Sequence, residues 1–235
     1  MSLRTNKIAL SLRNVGRELG VNKFIMKLAG SKSYEDKFNK FLLGSVHPND
    51  CVWDVGANIG FYTTQFAELV GATGKVFAFE PSPQNYSELQ KNVSAAGNVN
   101  LLPFGLGEKA ETLAFKQGDD DLGATSQVLT PGQEQGGTTF QVEIRSGDQL
   151  VQSGVAQTPN SIKIDFEGFE LEVLIGMKQI LRNQALRSIA IEVHFGLLAN
   201  RGMANAPKEI ELMLSAAGFS CSWPDPSHLV GVRSK

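Results

Sequence analysis

Asp165, Glu167 and His194 are the side chains best placed to move a proton in this sequence. A carboxylate or imidazole held about 3 Å from a hydroxyl can take its proton as a new bond forms at the oxygen. Asp165 closes the apolar run at 161–164, Glu167 follows on the turn, and His194 closes a second run, 188–193. In open α/β sheets, ligands collect at the carboxyl ends of strands, so all three can face one crevice. A partly wet imidazole would titrate near neutrality. Each residue also has a plainer reading. Asp165 and Glu167 can cap a helix starting near Phe169, Glu170 and Glu172 lie in the helix proper and complement its dipole, and His194 can be a hydrogen-bonded structural residue. Asp165, Glu167, Glu192 and His194 could instead converge on magnesium or manganese. Their spacing matches no recognised metal signature, so no metal ligands are assigned.

A second constellation reads as a binding turn. Asp54 stands at the end of an apolar run and is followed by Val55-Gly56-Ala57-Asn58-Ile59-Gly60. Gly56 and Gly60 let backbone approach a ligand without a Cβ in the way. Glu80, followed by Pro81, ends the next run about 20 residues further on, where a carboxylate can accept both hydrogen bonds of a ribose diol. This pair suits an adenosine cofactor. The dinucleotide fingerprint would need glycine where Asn58 stands, and an anionic pyrophosphate is disfavoured beside Asp54. A cofactor with an amino acid tail fits better, with Asp54 near its ammonium group directly or through water.

These residues need elements to hold them. Apolar runs at 51–55, 75–80, 99–104, 161–165, 188–193, 219–223 and 229–233 read as strands. Helical patterns at 61–70, 84–96, 170–182 and 207–217 alternate with them, which predicts parallel strands joined by right-handed crossovers. Between 112 and 145 the alternation gives way to two antiparallel strands, 112–116 and 139–145, around a loop rich in Gly, Asp and Gln. A polar excursion of this length reads as a binding loop or lid. Its segment at 118–126 can contribute an adenine contact or be an acidic solvated loop; its aspartates lack calcium-loop spacing. Ahead of the alternation, Ile8, Leu12, Val15 and Leu19 recur at helical spacing, and a second helix is expected over 34–45. Arg4, Lys7, Arg13, Arg17, Lys23 and Lys27 against Glu18 make the first segment basic, which suits packing on the main domain or a reversible interfacial contact. The chain is thus expected to divide into an N-terminal helical extension, 1–46, and a main domain, 47–235.

The runs VWDVGANIGFYT, GKVFAFEPSPQNYSELQKNV, SIKIDFEGFELEVLIGM and IAIEVH resemble the FkbM family of class I S-adenosylmethionine-dependent methyltransferases. The resemblance covers roughly 50–194. It implies a three-layer αβα Rossmann-like fold, with a mostly parallel seven-stranded sheet whose last strand runs antiparallel. It also implies S-adenosylmethionine held by Asp54, Gly56, Asn58, Gly60 and Glu80, with Ala57 and Pro81 in the same turns. The family's Asp-x-Glu-Gly segment is matched by Asp165-Phe166-Glu167-Gly168. Phe166 and Phe169 replace the aliphatic and tyrosine residues more usual there, changes expected to alter the pocket and not the chemistry. The implied activity is methylation of a hydroxyl on a sugar, glycan or natural product. In-line transfer from a sulfonium draws much of its rate from positioning, and a base serves to unmask the hydroxyl.

Composition bounds this picture. With 235 residues, 42% hydrophobic and 20% charged, the chain can bury a sizeable core. A formal charge of −2 gives no drive toward nucleic acid or an anionic membrane. No apolar stretch has the length of a spanning helix, and no signal-like block opens the chain. Cys51 and Cys221 fit neither a disulfide framework nor a metal knuckle, and are expected as reduced, buried thiols of a cytoplasmic protein. The sequence is silent on oligomeric state. Two rival functions stay open: an NAD(P)-dependent oxidoreductase using the same ribose carboxylate, and a non-catalytic nucleotide-binding module.

Overall fold

The computed structural model describes residues 32–116, 127–128 and 139–233; the basic segment at 4–27 and the loop at 118–126 lie outside them. The described chain opens with α1 (Lys32–Gly44), β1 (Cys51–Val55), α2 (Phe61–Val70), β2 (Lys75–Phe79), α3 (Pro83–Asn92) and β3 (Val99–Leu102). Then come β4 (Gly105–Leu106), β5 (Glu111–Lys116), β6 (Gln127–Val128), β7 (Thr139–Arg145) and α4 (Gly147–Gln152). The rest is β8 (Ser161–Ile164), α5 (Glu170–Ile175), α6 (Lys178–Arg182), β9 (Ser188–Glu192), α7 (Phe195–Asn200), α8 (Ala206–Ala216), β10 (Phe219–Ser222) and β11 (His228–Arg233).

Seven strands form one sheet in the order β10-β11-β9-β8-β1-β2-β3. β1, β2, β3, β8 and β9 run parallel, while β11 lies antiparallel to both of its neighbours. Helices cover the sheet, so its inner strands are buried on both faces: every residue of β1 and of β8 is buried. From β1 the chain winds outward through β2 and β3, then returns to β8 on the other side of β1. Strand order therefore reverses between β1 and β8, the point where such sheets open a crevice for ligands. A smaller sheet, ordered β4-β7-β5-β6, is inserted before β8. The expected hairpin is its centre, with Glu111 opposite Ile144 and Lys116 opposite Thr139. One apolar cluster joins Trp53, Phe79, Ile162 and Ile164 of the large sheet to Leu106, Phe115, Val142 and Ile144 of the small one. On the opposite face, Phe38 and Leu42 of α1 pack with Val52, Phe66, Val70 and Val76.

Several local features differ from the sequence reading. The single helix expected over 170–182 is two, α5 and α6, broken at Gly176-Met177. A Cβ on Gly176 would lie 1.9 Å from the carbonyl oxygen of Gly107, just past β4, so only glycine fits at this break. Asp148 then caps α6 from another segment, accepting hydrogen bonds from the amides of Gln179 (2.9 Å) and Ile180 (3.0 Å). The short elements β4, β6, α4 and α7 had no periodicity long enough to announce them. Both cysteines are free thiols, Cys51 buried as expected but Cys221 only half-buried on β10, the edge strand of the sheet. No helix among the described residues is long and apolar enough to cross a membrane.

Candidate active site

The turn after β1 takes its shape from residues that tolerate the left-handed region: Gly56 (φ +75°), Asn58 (φ +53°) and Gly60 (φ +91°). At Gly56 a Cβ would sit 2.0 Å from the carbonyl oxygen of Asp165, so this turn rests directly on the one after β8. The turn's amides are engaged inside the protein: those of Gly56 and Ala57 donate to the Phe79 carbonyl and that of Gly60 to the Ala57 carbonyl. Ala57 is buried against Ala78, Leu89 and Val93. The Asn58 amide donates to Glu80 Oε2 (2.7 Å) and the Ser82 amide to Glu80 Oε1 (2.8 Å). Burial pushes the Glu80 carboxyl up to about 7, against the lowering effect of those two amides and of Lys163.

Glu80 lines a cleft with Gly56, Asn58, Pro81, Ser82, Asn85, Phe115, Asp165, Phe166 and Glu167. Buried Asn85 Oδ1 has no hydrogen-bond partner there, an acceptor suited to an amine or hydroxyl of a bound molecule. Phe115 from the small sheet stacks on Phe166, with ring centroids 5.9 Å apart, and supplies an apolar wall. A carboxylate able to take a diol, an orphaned acceptor and aromatic surface together fit an adenosine-bearing cofactor. Gly60 is the N-cap of α2 and is not among the residues lining the cleft.

Asp54 lies lower, fully buried under the turn. Strand register sets it opposite Lys163, and Ala78 and Ala190 flank the pair on β2 and β9, leaving room for both side chains. Lys163 Nζ is 3.2 Å from Asp54 Oδ1 and 3.6 Å from Asp165 Oδ2, and donates to the Gly56 carbonyl (2.8 Å). Thr63 Oγ1 donates to Asp54 Oδ2 (2.7 Å). Burial works against the charge on Lys163, but Asp54 and Asp165 outweigh it and hold its pKa above the usual value. This buried cation ties the two turns together. Sequence reasoning passed over it, although a lysine inside an apolar strand two residues before Asp165 was a visible signal.

Asp165, Glu167 and His194 do come together. His194 Nε2 lies 3.2 Å from Glu167 Oε2, 3.6 Å from Asp165 Oδ1 and 3.9 Å from Glu192 Oε1. The imidazole is buried, and its Nδ1 is 2.5 Å from Oε1 of Glu170, itself fully buried. Glu170 Oε1 also accepts from the Gly168 amide (3.0 Å), so it steadies both the ring and the turn. Neither Asp165 nor Glu167 caps α5; its N-cap, Phe169, makes no side-chain cap bond. Glu170 thus does more than complement a helix dipole. Burial alone would lower the His194 pKa, but Glu167, Glu170 and Glu192 raise it to about 10. Those acids favour the protonated imidazole. His228, unassigned from sequence, pairs with Asp225 (2.7 Å) and stacks on Phe38.

The strand order, with an antiparallel last strand and a cleft at the point of reversal, defines a Rossmann-like methyltransferase fold. The chain belongs to the FkbM methyltransferase domain family, whose model matches residues 54–221. It is 34% identical over 182 residues to the hexuronic acid methyltransferase AglP of Haloferax volcanii, a match covering 77% of this chain and 68% of the relative. Its fold matches the crystal structure of methyltransferase FkbM from Methylobacillus flagellatus with a TM-score of 0.52 at 17% identity, over 78% of this chain but only 43% of that one. A Streptococcus mutans chain solved in complex with SAH superposes with a TM-score of 0.52 at 15% identity, over 86% of this chain and 98% of that one.

Proposed function

We propose that this chain transfers the methyl group of S-adenosylmethionine to a hydroxyl of a sugar, and that the acceptor is a hexuronic acid residue of a glycan. The observation that carries the reading is a single cleft lined by Glu80 together with Asp165 and Glu167. Glu80 would receive the ribose diol and Asn85 a neighbouring donor group, while Phe115 and Phe166 flank the nonpolar part of the cofactor. S-adenosylmethionine supplies a methyl carbon bonded to a positively charged sulfur. Held there, it would pass that carbon to the acceptor oxygen, the electron pair of the carbon–sulfur bond leaving with sulfur. The hydroxyl proton passes to the carboxylate of Asp165 or Glu167. Lys163 acts from below as a positioning residue, holding Asp165 and the Gly56 turn in register. Similarity to a hexuronic acid methyltransferase supports the acceptor class.

The test is incubation of purified protein with methyl-labelled S-adenosylmethionine and glycans that carry or lack hexuronic acid, followed by mass spectrometry of the products. Label is expected on the hexuronic acid residue. Calorimetry showing no S-adenosylmethionine binding to folded protein would overturn the proposal.

A further inference from the structure

We infer that Asp165, Glu167 and His194 form a binding site for one divalent cation of the manganese or magnesium type, placed to hold the acceptor hydroxyl. Three observations carry it. One potential ligand atom from each of the three side chains lies within 4.8 Å of the others. Around a six-coordinate ion with bonds of about 2.1 Å, adjacent ligands are about 3 Å apart. The separations of His194 Nε2 from Glu167 Oε2 (3.2 Å) and Asp165 Oδ1 (3.6 Å) are close to that edge.

His194 Nε2 is also buried, has no hydrogen-bond partner and points into the carboxylate pair. Its other ring nitrogen is held 2.5 Å from Glu170, an acid that lies outside the ligand set. A carboxylate bonded to the far nitrogen of a histidine fixes the ring and its tautomer with the near nitrogen aimed at a metal, the arrangement seen around metal-ligating histidines. Two carboxylates with one imidazole favour Mn²⁺ over ions that prefer sulfur or several imidazoles, and Mg²⁺ is the alternative with the same oxygen preference.

Asp165 and Glu167 also line the proposed cofactor cleft, so the cation would sit beside the transferring methyl group. Coordination there would orient the acceptor oxygen and make its hydroxyl a stronger acid, easing passage of its proton to a carboxylate oxygen of Asp165 or Glu167 that is not bound to the ion. This role rests on the methyltransferase reading above; the cation site itself does not.

The test uses the full chain, stripped with chelator and titrated with Mn²⁺ alone. Calorimetry and the electron paramagnetic resonance of free Mn²⁺ are both followed. One Mn²⁺ per chain is expected, with a nitrogen coupling in the pulsed spectrum. The isosteric variants Asp165→Asn and Glu167→Gln should weaken binding at least tenfold, and His194→Gln should remove the nitrogen coupling. Circular dichroism checks that each variant is folded. Absence of Mn²⁺ binding to folded wild-type protein overturns the inference, as does binding that all three variants leave unchanged. A parallel titration with S-adenosylmethionine in chelator separates the two readings. Cofactor binding without Mn²⁺ binding removes only the cation, and Mn²⁺ binding without cofactor binding removes only the methyltransferase reading.

Discussion

Lys163 and Asp54 are opposite charges with at most 4% of either side chain exposed, in the middle of a parallel sheet. Removing one member of such a pair leaves the other charged in a dry interior, which costs about 3–5 kcal/mol. Lys163→Met is therefore expected to lower unfolding free energy by about that amount in urea titrations, and adding Asp54→Asn should recover part of it. Glu80 gives a prediction in pH. Its folded pKa, about 7, lies above the ordinary 4.5, so its neutral form favours the fold. That contribution is complete below 4.5 and lost as pH rises toward 7. Binding of the proposed cofactor runs the other way, because a ribose diol donates to the ionised carboxylate. S-adenosylmethionine affinity by calorimetry should be about tenfold weaker at pH 6 than at pH 8. Glu80→Gln should weaken binding and flatten this dependence; a slope unchanged in Glu80→Gln would assign it elsewhere. The positions of Asp165, Glu167, His194 and Glu80 at or just past strand ends could be read from sequence because apolar runs stop there. Lys163 and Glu170 could not be placed the same way, since their roles depend on lateral register and on which strand end a helix faces.

Among the elements, the inner strands of the large sheet were legible because burial on both faces writes nearly unbroken apolar runs. The junction of α5 and α6 was not. Residues 170–182 carry one helical pattern, and at the break the Gly176 carbonyl accepts from the Asp148 amide and the Ser146 hydroxyl, contacts between segments far apart in sequence. After that break, α6 depends on Asp148 for its first amides. Asp148→Ala should cost about 1 kcal/mol in urea unfolding, within the range for losing a helix cap. Asp148→Asn, which keeps an acceptor oxygen, should cost less. Equal losses in the two variants would mean that the carboxylate's charge matters more than its hydrogen bonds. The small sheet was legible only at its centre, where β5 and β7 alternate over enough residues to show a period of two. β4 has two residues and announces nothing, although it pairs with β7 and completes that layer.

At the scale of the molecule, the two sheets share one apolar cluster and both contribute walls to the cleft: Glu80 and Asp165 from the ends of large-sheet strands, Phe115 from the small sheet. A ligand seated there touches parts of the fold that the chain reaches through very different segments. Binding should then stabilise them together. At a hundredfold excess over its dissociation constant, a ligand specific for the native state adds about 2.7 kcal/mol, which for a protein of this length raises the melting temperature by about 5–10 °C. S-adenosylmethionine is expected to produce that shift. In hydrogen exchange it should slow the amides of β5 and β7 as well as the turn after β1. Phe115→Ala provides the control: with the aromatic wall gone, protection should persist at the β1 turn and weaken on β5. If cofactor protects the β1 turn of the wild-type protein but leaves β5 and β7 untouched, the small sheet does not close the cofactor cleft, and its role would lie with the acceptor instead.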